Sequence, residues 1–283
     1  DRIVGRAKLQ VSPQDLKNVI SRPIYNYLQH KFPEENFLPK FDLHHYRYPA
    51  KDKPEGIVFF FHDQSKHCGK YAHVAEYFAD RGLEVFGFDL PGHGKSTGKL
   101  RGYFGTFKEV EQISKLFIEM VMTKFGYQDL PKFGAGICTG CVTILSLAMN
   151  NPNLFNGISL TNPILQNDGS VPINHRLVRF LGKYMPTLPA LSVDFPSLQP
   201  FHDPLLLEGW LRAGLFIELD NYSYYFKNNM AKLKTPVFIA YGGNDIIVQP
   251  SSTKEFIDKI EIEDKFSICY DECNHDIYAD AEF

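Results

Sequence analysis

Three short segments of the chain carry residues whose types and spacing could do chemistry. The first, Gly136-Ile137-Cys138-Thr139-Gly140, fits the pattern Gly-x-nucleophile-x-Gly, with Cys where Ser usually stands. A nucleophile on a tight strand-to-helix turn sits in strained backbone, so the positions flanking it must be small. The helix that follows offers unpaired N–H groups and positive potential, which lower a thiol pKa and bind an oxyanion. The second, Tyr241-Gly242-Gly243-Asn244-Asp245, puts Asp245 just beyond an apolar run. The third, Asp271-Glu272-Cys273-Asn274-His275-Asp276, puts His275 just beyond the last one. Nucleophile, acid and base in that order are the parts of a triad, and open α/β sheets collect such groups at the carboxyl ends of their strands. Each part has a plainer reading: a buried Cys on a Gly-rich turn, an Asp capping a helix, a His in a surface loop.

The elements that must position these groups follow from hydrophobic periodicity. Short apolar runs at Phe41–Tyr48, Ile57–Phe61, Leu83–Phe88, Lys132–Gly136, Gly157–Thr161, Pro236–Tyr241 and Phe266–Tyr270 predict strands. Amphipathic segments at Tyr71–Arg81, Thr106–Phe125, Thr139–Asn150 and Ser251–Ile260 predict helices between them. Alternating strands and helices, with strands apolar on both faces, imply an α/β fold built on a mainly parallel sheet. A further helical spacing at residues 13–32, capped by Ser12 and interrupted by Pro23, marks 1–39 as an N-terminal helical extension.

Residues 40–164 and 233–283 then read as the two parts of one core. Residues 165–232, with six prolines and helical patterns near His175–Tyr184 and Pro204–Phe216, read as a cap inserted above the strand ends. In that cap Leu177, Val178, Phe180, Leu181, Tyr184 and Met185 form an apolar stripe, expected to pack on the core, with peripheral membrane contact through the cap as the alternative. The aromatic run Tyr222–Phe226 is read as packing too.

The motifs together resemble the α/β-hydrolases of the monoacylglycerol lipase and lysophospholipase type, the hydrolase-4 or serine-aminopeptidase-like group. The likeness runs over residues 40–283. His62-Asp63-Gln64-Ser65-Lys66-His67-Cys68-Gly69-Lys70-Tyr71 resembles that group's His-Gly-x-Gly-Glu-His-Ser-x-Arg-Tyr loop. Asp89-Leu90-Pro91-Gly92-His93-Gly94-Lys95-Ser96 resembles its Asp-x-x-Gly-His-Gly-x-Ser turn, and Asp203-Pro204-Leu205 a motif of its cap. The resemblance implies an α/β-hydrolase fold with helices on both faces of the sheet. It implies Cys138 as nucleophile, His275 as base and then acid, and Asp245 as the residue orienting His275. Backbone N–H groups of Gln64 and Thr139 would form the oxyanion hole. His62 and His93 are read as scaffolding. The substrate implied is a small acyl ester or lipid, with no cofactor and no metal.

Four departures from the group's pattern bear on activity. Cys138 replaces Ser, and Lys66 replaces the Glu of the loop. Asp63 replaces the loop's first Gly and brings a carboxylate near a site that must bind negative charge. Only eight residues follow His275, where the group carries another helix. A thiolate leaves a tetrahedral intermediate more readily than an alkoxide, so activated acyl groups such as thioesters suit Cys138 better than ordinary esters. The rival from another class is a catalytically inactive hydrolase fold serving as a structural or binding subunit, with a protein partner. Two lesser readings use the same cysteines: a redox dithiol, Cys138-Thr139-Gly140-Cys141, and a zinc site from Cys138, Cys141, Cys273 and His275. Gly92-His93-Gly94-Lys95-Ser96 mimics a phosphate loop, but Asp89 stands where that loop needs Gly.

Composition narrows the rest. In 283 residues, 24 Phe and 15 Tyr exclude disorder, and no apolar run approaches the ~18 residues of a membrane helix. A net charge of −3 with scattered Lys and Arg leaves no nucleic-acid footprint. Five cysteines and no signal-peptide pattern suggest a reducing, intracellular compartment, cytoplasmic or organellar. The chain begins at Asp1, as a processed product or fragment would.

Overall fold

A computed structural model describes residues 43–165, 175–193, 203–207 and 209–278. The N-terminal extension expected over 1–39, with its helix, lies outside them. The strands are β1 (His45–Tyr48), β2 (Gly56–Phe61), β3 (Leu83–Phe88), β4 (Lys132–Ile137), β5 (Gly157–Thr161), β8 (Val237–Gly242) and β9 (Lys265–Tyr270). They form one sheet in the order β1-β3-β2-β4-β5-β8-β9. Only β1 runs antiparallel, against β3; every other neighbouring pair is parallel. Helices α1 (Ala72–Ala79), α2 (Phe107–Phe125), α3 (Thr139–Asn150) and α6 (Pro250–Lys259) connect the strands.

The sequence Gly-Ile-Val-Phe-Phe-Phe of β2 shows why this sheet is covered on both faces. Successive side chains of a strand point to opposite sides. Ile57, Phe59 and Phe61 join the cluster formed with α2 and α3 (Phe86, Phe117, Ile144, Leu147), whereas Val58 and Phe60 join Tyr71, Ala75 and Val85 on the other side. All six residues of β2 are buried, and each such Phe or Ile contributes about 1.5–3 kcal/mol by leaving water. Helix α2 begins with a reciprocal capping box between Thr106 and Glu109 and ends at Gly126 in the left-handed conformation (φ 70°).

Between β5 and β8 the described residues hold α4 (His175–Tyr184), a two-stranded ribbon of β6 (Pro189–Val193) and β7 (Gly209–Arg212), and α5 (Ala213–Asn229). The helix expected at Pro204–Phe216 is therefore corrected. Residues 204–206 form a turn, Gly209–Arg212 is a strand, and the helix starts only at Ala213. Pairing with β6 overrides a periodicity too short to decide between strand and helix. Four residues of the apolar stripe at α4 do not pack on the core either: Leu177, Phe180, Tyr184 and Met185 are 54%, 58%, 62% and 50% exposed, while Leu181 is half-buried. The Tyr222–Phe226 run packs in part: Tyr222 meets Phe107 edge-on at 5.1 Å and Phe226 is buried in the core, whereas Tyr224 is exposed.

On the sheet face beyond α1, an apolar depression of about 370 Å³ is lined by Val58, Phe78, Phe133, Ile158, Phe238 and Phe266. It lies away from Cys138, Asp245 and His275. Among the described residues no helix is long and apolar enough to cross a membrane.

Candidate active site

The turn from β4 into α3 holds Cys138 at φ 49°, ψ −109°, a backbone region that L-residues rarely occupy. Two contacts explain its glycines. A Cβ on Gly140 would lie 2.2 Å from the Phe61 carbonyl oxygen, and one on Gly136 would lie 2.7 Å from Ile144 Cδ1. The turn is anchored where the Cys138 N–H donates to the Thr161 carbonyl (2.9 Å) and the Cys141 N–H donates to the Cys138 carbonyl (3.1 Å).

Asp245 and His275 meet as their positions predict. His275 Nδ1 lies 2.8 Å from Asp245 Oδ2, and the other carboxylate oxygen accepts the N–H groups of Ile247 (2.8 Å) and Val248 (2.9 Å). The acid is buried, and the His275 side chain keeps 13% exposure. Burial opposes charge on the His275 ring. The hydrogen bond and charge of Asp245, with Asp63 and Asp276 nearby, outweigh it and raise the pKa above its usual 6.5.

A residue that pattern reading missed holds this pair in place. Asn162, at φ 44°, donates its N–H to the Ala240 carbonyl (2.9 Å), accepts the Gly242 N–H (2.8 Å) and donates its side-chain amide to the His275 carbonyl. It joins the ends of β5 and β8 to the His275 loop. The available signal was its place directly after a strand, in Thr161-Asn162-Pro163, where Asn tolerates positive φ.

The loop after β2 brings Asp63 into the site. The Cys138 thiol is buried beside the Asp63 carboxylate. One ligand-type atom each from Asp63, Cys138 and His275 falls within 4.8 Å of the others. The thiol pKa is pushed well above its usual range, first by burial, then by the charge of Asp63.

The two N–H groups expected to bind an oxyanion are both engaged. Thr139 N–H and Oγ1–H both point to Asp63 Oδ1, at 3.4 and 3.1 Å, while the Gln64 N–H donates to Thr139 Oγ1 at 2.7 Å. An internal carboxylate thus stands where substrate negative charge would develop.

The histidines read as scaffolding are buried and locally bonded. His62 Nδ1–H donates to the Asp63 carbonyl (2.7 Å), and Nε2 accepts the Leu90 N–H (2.9 Å). His93 Nδ1 donates to the Pro91 carbonyl (2.9 Å), and burial lowers its pKa to about 3. Asp89 accepts from Cys68 N–H, Lys95 N–H and Tyr46 Oη–H.

The same loop is tied to the cap. His67 Nε2 lies 2.8 Å from Asp203 Oδ2, and the Leu207 N–H donates to the Ser65 carbonyl (2.9 Å). Cys141 turns its thiol to the Gly136 and Thr161 carbonyls, at 3.1 and 3.5 Å, and the five cysteines are all free. The structure therefore shows no Cys138–Cys141 disulfide, and it does not assemble the four-residue zinc set drawn from Cys138, Cys141, Cys273 and His275.

A mostly parallel sheet with a strained turn at Cys138 after β4, and with Asp245 after β8 paired to His275 after β9, has the layout of an α/β-hydrolase. Comparison with known proteins agrees. Residues 52–282 match the hydrolase-4 family (serine aminopeptidase, S33), and the chain belongs to that family. It is similar to a monoacylglycerol lipase of Mycolicibacterium smegmatis, 26% identical over 243 residues, spanning 81% of this chain and 84% of the relative. A caffeoylshikimate esterase of Arabidopsis thaliana is 27% identical over 244 residues, spanning 81% of this chain and 73% of the relative. Among solved structures, the monoacylglycerol lipase of Paleococcus ferrophilus superposes with a TM-score of 0.74 at 26% identity, over 85% of this chain and 93% of that one. The protein is a monoacylglycerol-lipase-like α/β-hydrolase.

Proposed function

We propose that the chain is an acyl-ester or thioester hydrolase of the monoacylglycerol lipase and lysophospholipase type, working through an acyl-enzyme on Cys138. The observation that carries this reading is the intact Asp245–His275 pair (2.8 Å), beside a thiol held at φ 49° at a helix N-terminus. Asp245 fixes His275 with Nδ1–H inward, which leaves Nε2 to take the thiol proton. The thiolate attacks the acyl carbonyl, and His275 returns the proton to the leaving alcohol or thiol. Water, deprotonated by the same nitrogen, then releases the acid and restores the thiol. Asp63 makes the resting site a poor one, because Thr139 N–H must be given up by its carboxylate before it can bind an oxyanion. Slow turnover, selective for activated acyl groups such as thioesters, is the consequence. The relatives named as lipases and an esterase support small acyl esters as the substrate class. The exposed apolar face of α4 supports peripheral contact with a membrane that holds such lipids.

The closed oxyanion site also favours a second reading, an inactive hydrolase fold that serves as a binding or structural subunit with a protein partner. Hydrolysis of a short-chain p-nitrophenyl ester and an acyl thioester separates the two. Turnover by the parent, lost in both Cys138→Ala and His275→Ala, supports the hydrolase. No turnover by the parent, and none restored by Cys138→Ser, overturns it in favour of the inactive scaffold. Sedimentation with phosphatidylcholine vesicles tests the membrane contact; binding unchanged by Phe180→Glu would sink it.

A further inference from the structure

The chemistry brought together at the head of α3 is that of a metal site as much as of a triad. A thiol, a carboxylate and an imidazole converge within 4.8 Å. Ligand atoms around a tetrahedral zinc-type ion stand about 3.5 Å apart, so a contraction of about an ångström completes the geometry. Asp63 is what makes the set: a Gly at that position would leave only Cys138 and His275.

The outer shell is already in place. His275 Nδ1 is held by Asp245, the carboxylate–histidine arrangement that fixes Nε2 as a ligand. Asp63 Oδ1 is held by Thr139, which orients the carboxylate toward Cys138. The second described cluster of suitable residues, His62, Cys68 and Asp89, has no such vacancy: both ring nitrogens of His62 and both oxygens of Asp89 already bond backbone groups.

We propose that Asp63 Oδ, Cys138 Sγ and His275 Nε2 form a site for one divalent transition-metal ion of the zinc type, with water as fourth ligand. A thiolate–imidazole–carboxylate set suits borderline-soft ions and not Mg²⁺ or Ca²⁺. Binding forms the sulfur–metal bond and releases the thiol proton to solvent. The ion's two positive charges then balance the thiolate and the carboxylate, which otherwise share a buried space. The partly exposed edge of His275 gives the ion its way in. Metal binding uses residues of the hydrolase reading but does not depend on it. Occupancy withdraws Cys138 as a nucleophile, so the metal-bound protein is silent toward acyl groups.

The test is titration of the chelator-stripped full chain with Co²⁺, followed by near-ultraviolet thiolate-to-cobalt charge transfer, with Zn²⁺ as competitor. The expected result is one Co²⁺ per chain, displaced by Zn²⁺, with about one proton released per ion at pH 8. Asp63→Gly should weaken binding by more than the roughly 100-fold that losing an outer-shell partner can cost, and Asp245→Asn by about 10–100-fold. Cys138→Ser should abolish the charge-transfer band, whereas Cys269→Ser should leave it unchanged. Circular dichroism establishes that each variant folds, with Asp63→Asn as substitute should Asp63→Gly not. Absence of the band in the parent, a band that survives Cys138→Ser, or a Co²⁺ affinity left unchanged by the Asp63 variant, overturns the proposal. Ester hydrolysis assayed on the metal-free protein fails or succeeds independently of this result.

Discussion

If Cys138 works through the acyl-enzyme proposed above, replacing Asp63 by Gly should open a nearly closed site. The carboxylate acts twice against an oxyanion. It occupies the Thr139 N–H at 3.4 Å, and one oxyanion donor is worth about 10²–10³ in rate, or about 2.7–4 kcal/mol. It also places a negative charge beside the developing one. At ~4 Å and an effective dielectric of ~20, that repulsion is about 4 kcal/mol. Both effects fall on the same atoms and do not add, so the expected gain in kcat/KM is about 10²–10³-fold on an activated ester or thioester. The thiol pKa should fall with the loss of Asp63, although burial, the larger cause of its elevation, remains.

The assay pairs p-nitrophenyl ester and thioester hydrolysis with the pH dependence of iodoacetamide alkylation, read at Cys138 by peptide mapping. Asp63→Asn separates charge from bulk: it should gain part of the rate and lower the thiol pKa nearly as far. A folded Asp63→Gly protein with less than a tenfold gain and an unchanged alkylation profile would refute the reasoning, because neither charge nor occlusion could then be limiting.

Other expectations follow from the same geometry. Because the pKa of His275 is raised above 6.5, the limb of kcat/KM that reports its neutral form should rise at a pH above 6.5; in Asp245→Asn that limb should move down, and an unmoved limb counts against the pairing. Asn162→Gly keeps the positive φ but loses the bonds to Gly242 and His275, and should cost about 1–3 kcal/mol in urea unfolding and lower kcat more than it raises KM. Gly140→Ala forces a Cβ onto the Phe61 carbonyl and should destabilise by more than about 2 kcal/mol, seen as a lower Tm. Asp203 has a carboxyl pKa held below its usual 3.8; burial works the other way, and the His67 hydrogen bond outweighs it. Its stabilising contribution should be present at neutral pH and lost as pH falls through that lowered value, and Asp203→Asn should remove this acid-side dependence.

Much of this was legible in the sequence because it is imposed locally. A run such as Ile57–Phe61 can be satisfied only by a strand covered on both faces, and Gly136-Ile137-Cys138-Thr139-Gly140 only by a turn too tight for side chains at its flanks. The placement of Asp245 and His275 followed from where strands end. What pattern could not supply was direction. The position of Asp63 said that a carboxylate would be near, but not that it would take the Thr139 N–H. The stripe on α4 said that the helix is two-faced, but not that its apolar face would stay exposed. Asn162 was hidden because its three partners come from two distant parts of the chain, β8 and the His275 loop. The strand Gly209–Arg212 was hidden because its pairing partner, β6, is itself irregular.

The ties between the loop after β2 and residues 203–207 have a consequence for protein engineering. Ser65 and His67 fasten the point where the cap returns toward the core, through Leu207 and Asp203, and Arg101 reinforces it at the Leu205 carbonyl. A chimaera that imports another cap should therefore keep 203–207 with the recipient's own loop and place its downstream junction before Asp203. Cut after Leu207, the graft brings a foreign anchor to a loop whose Asp63, two residues before Ser65, faces Cys138. Substrate range and the posture of the loop after β2 would then change together, and no screen of such chimaeras could tell which had altered the rate.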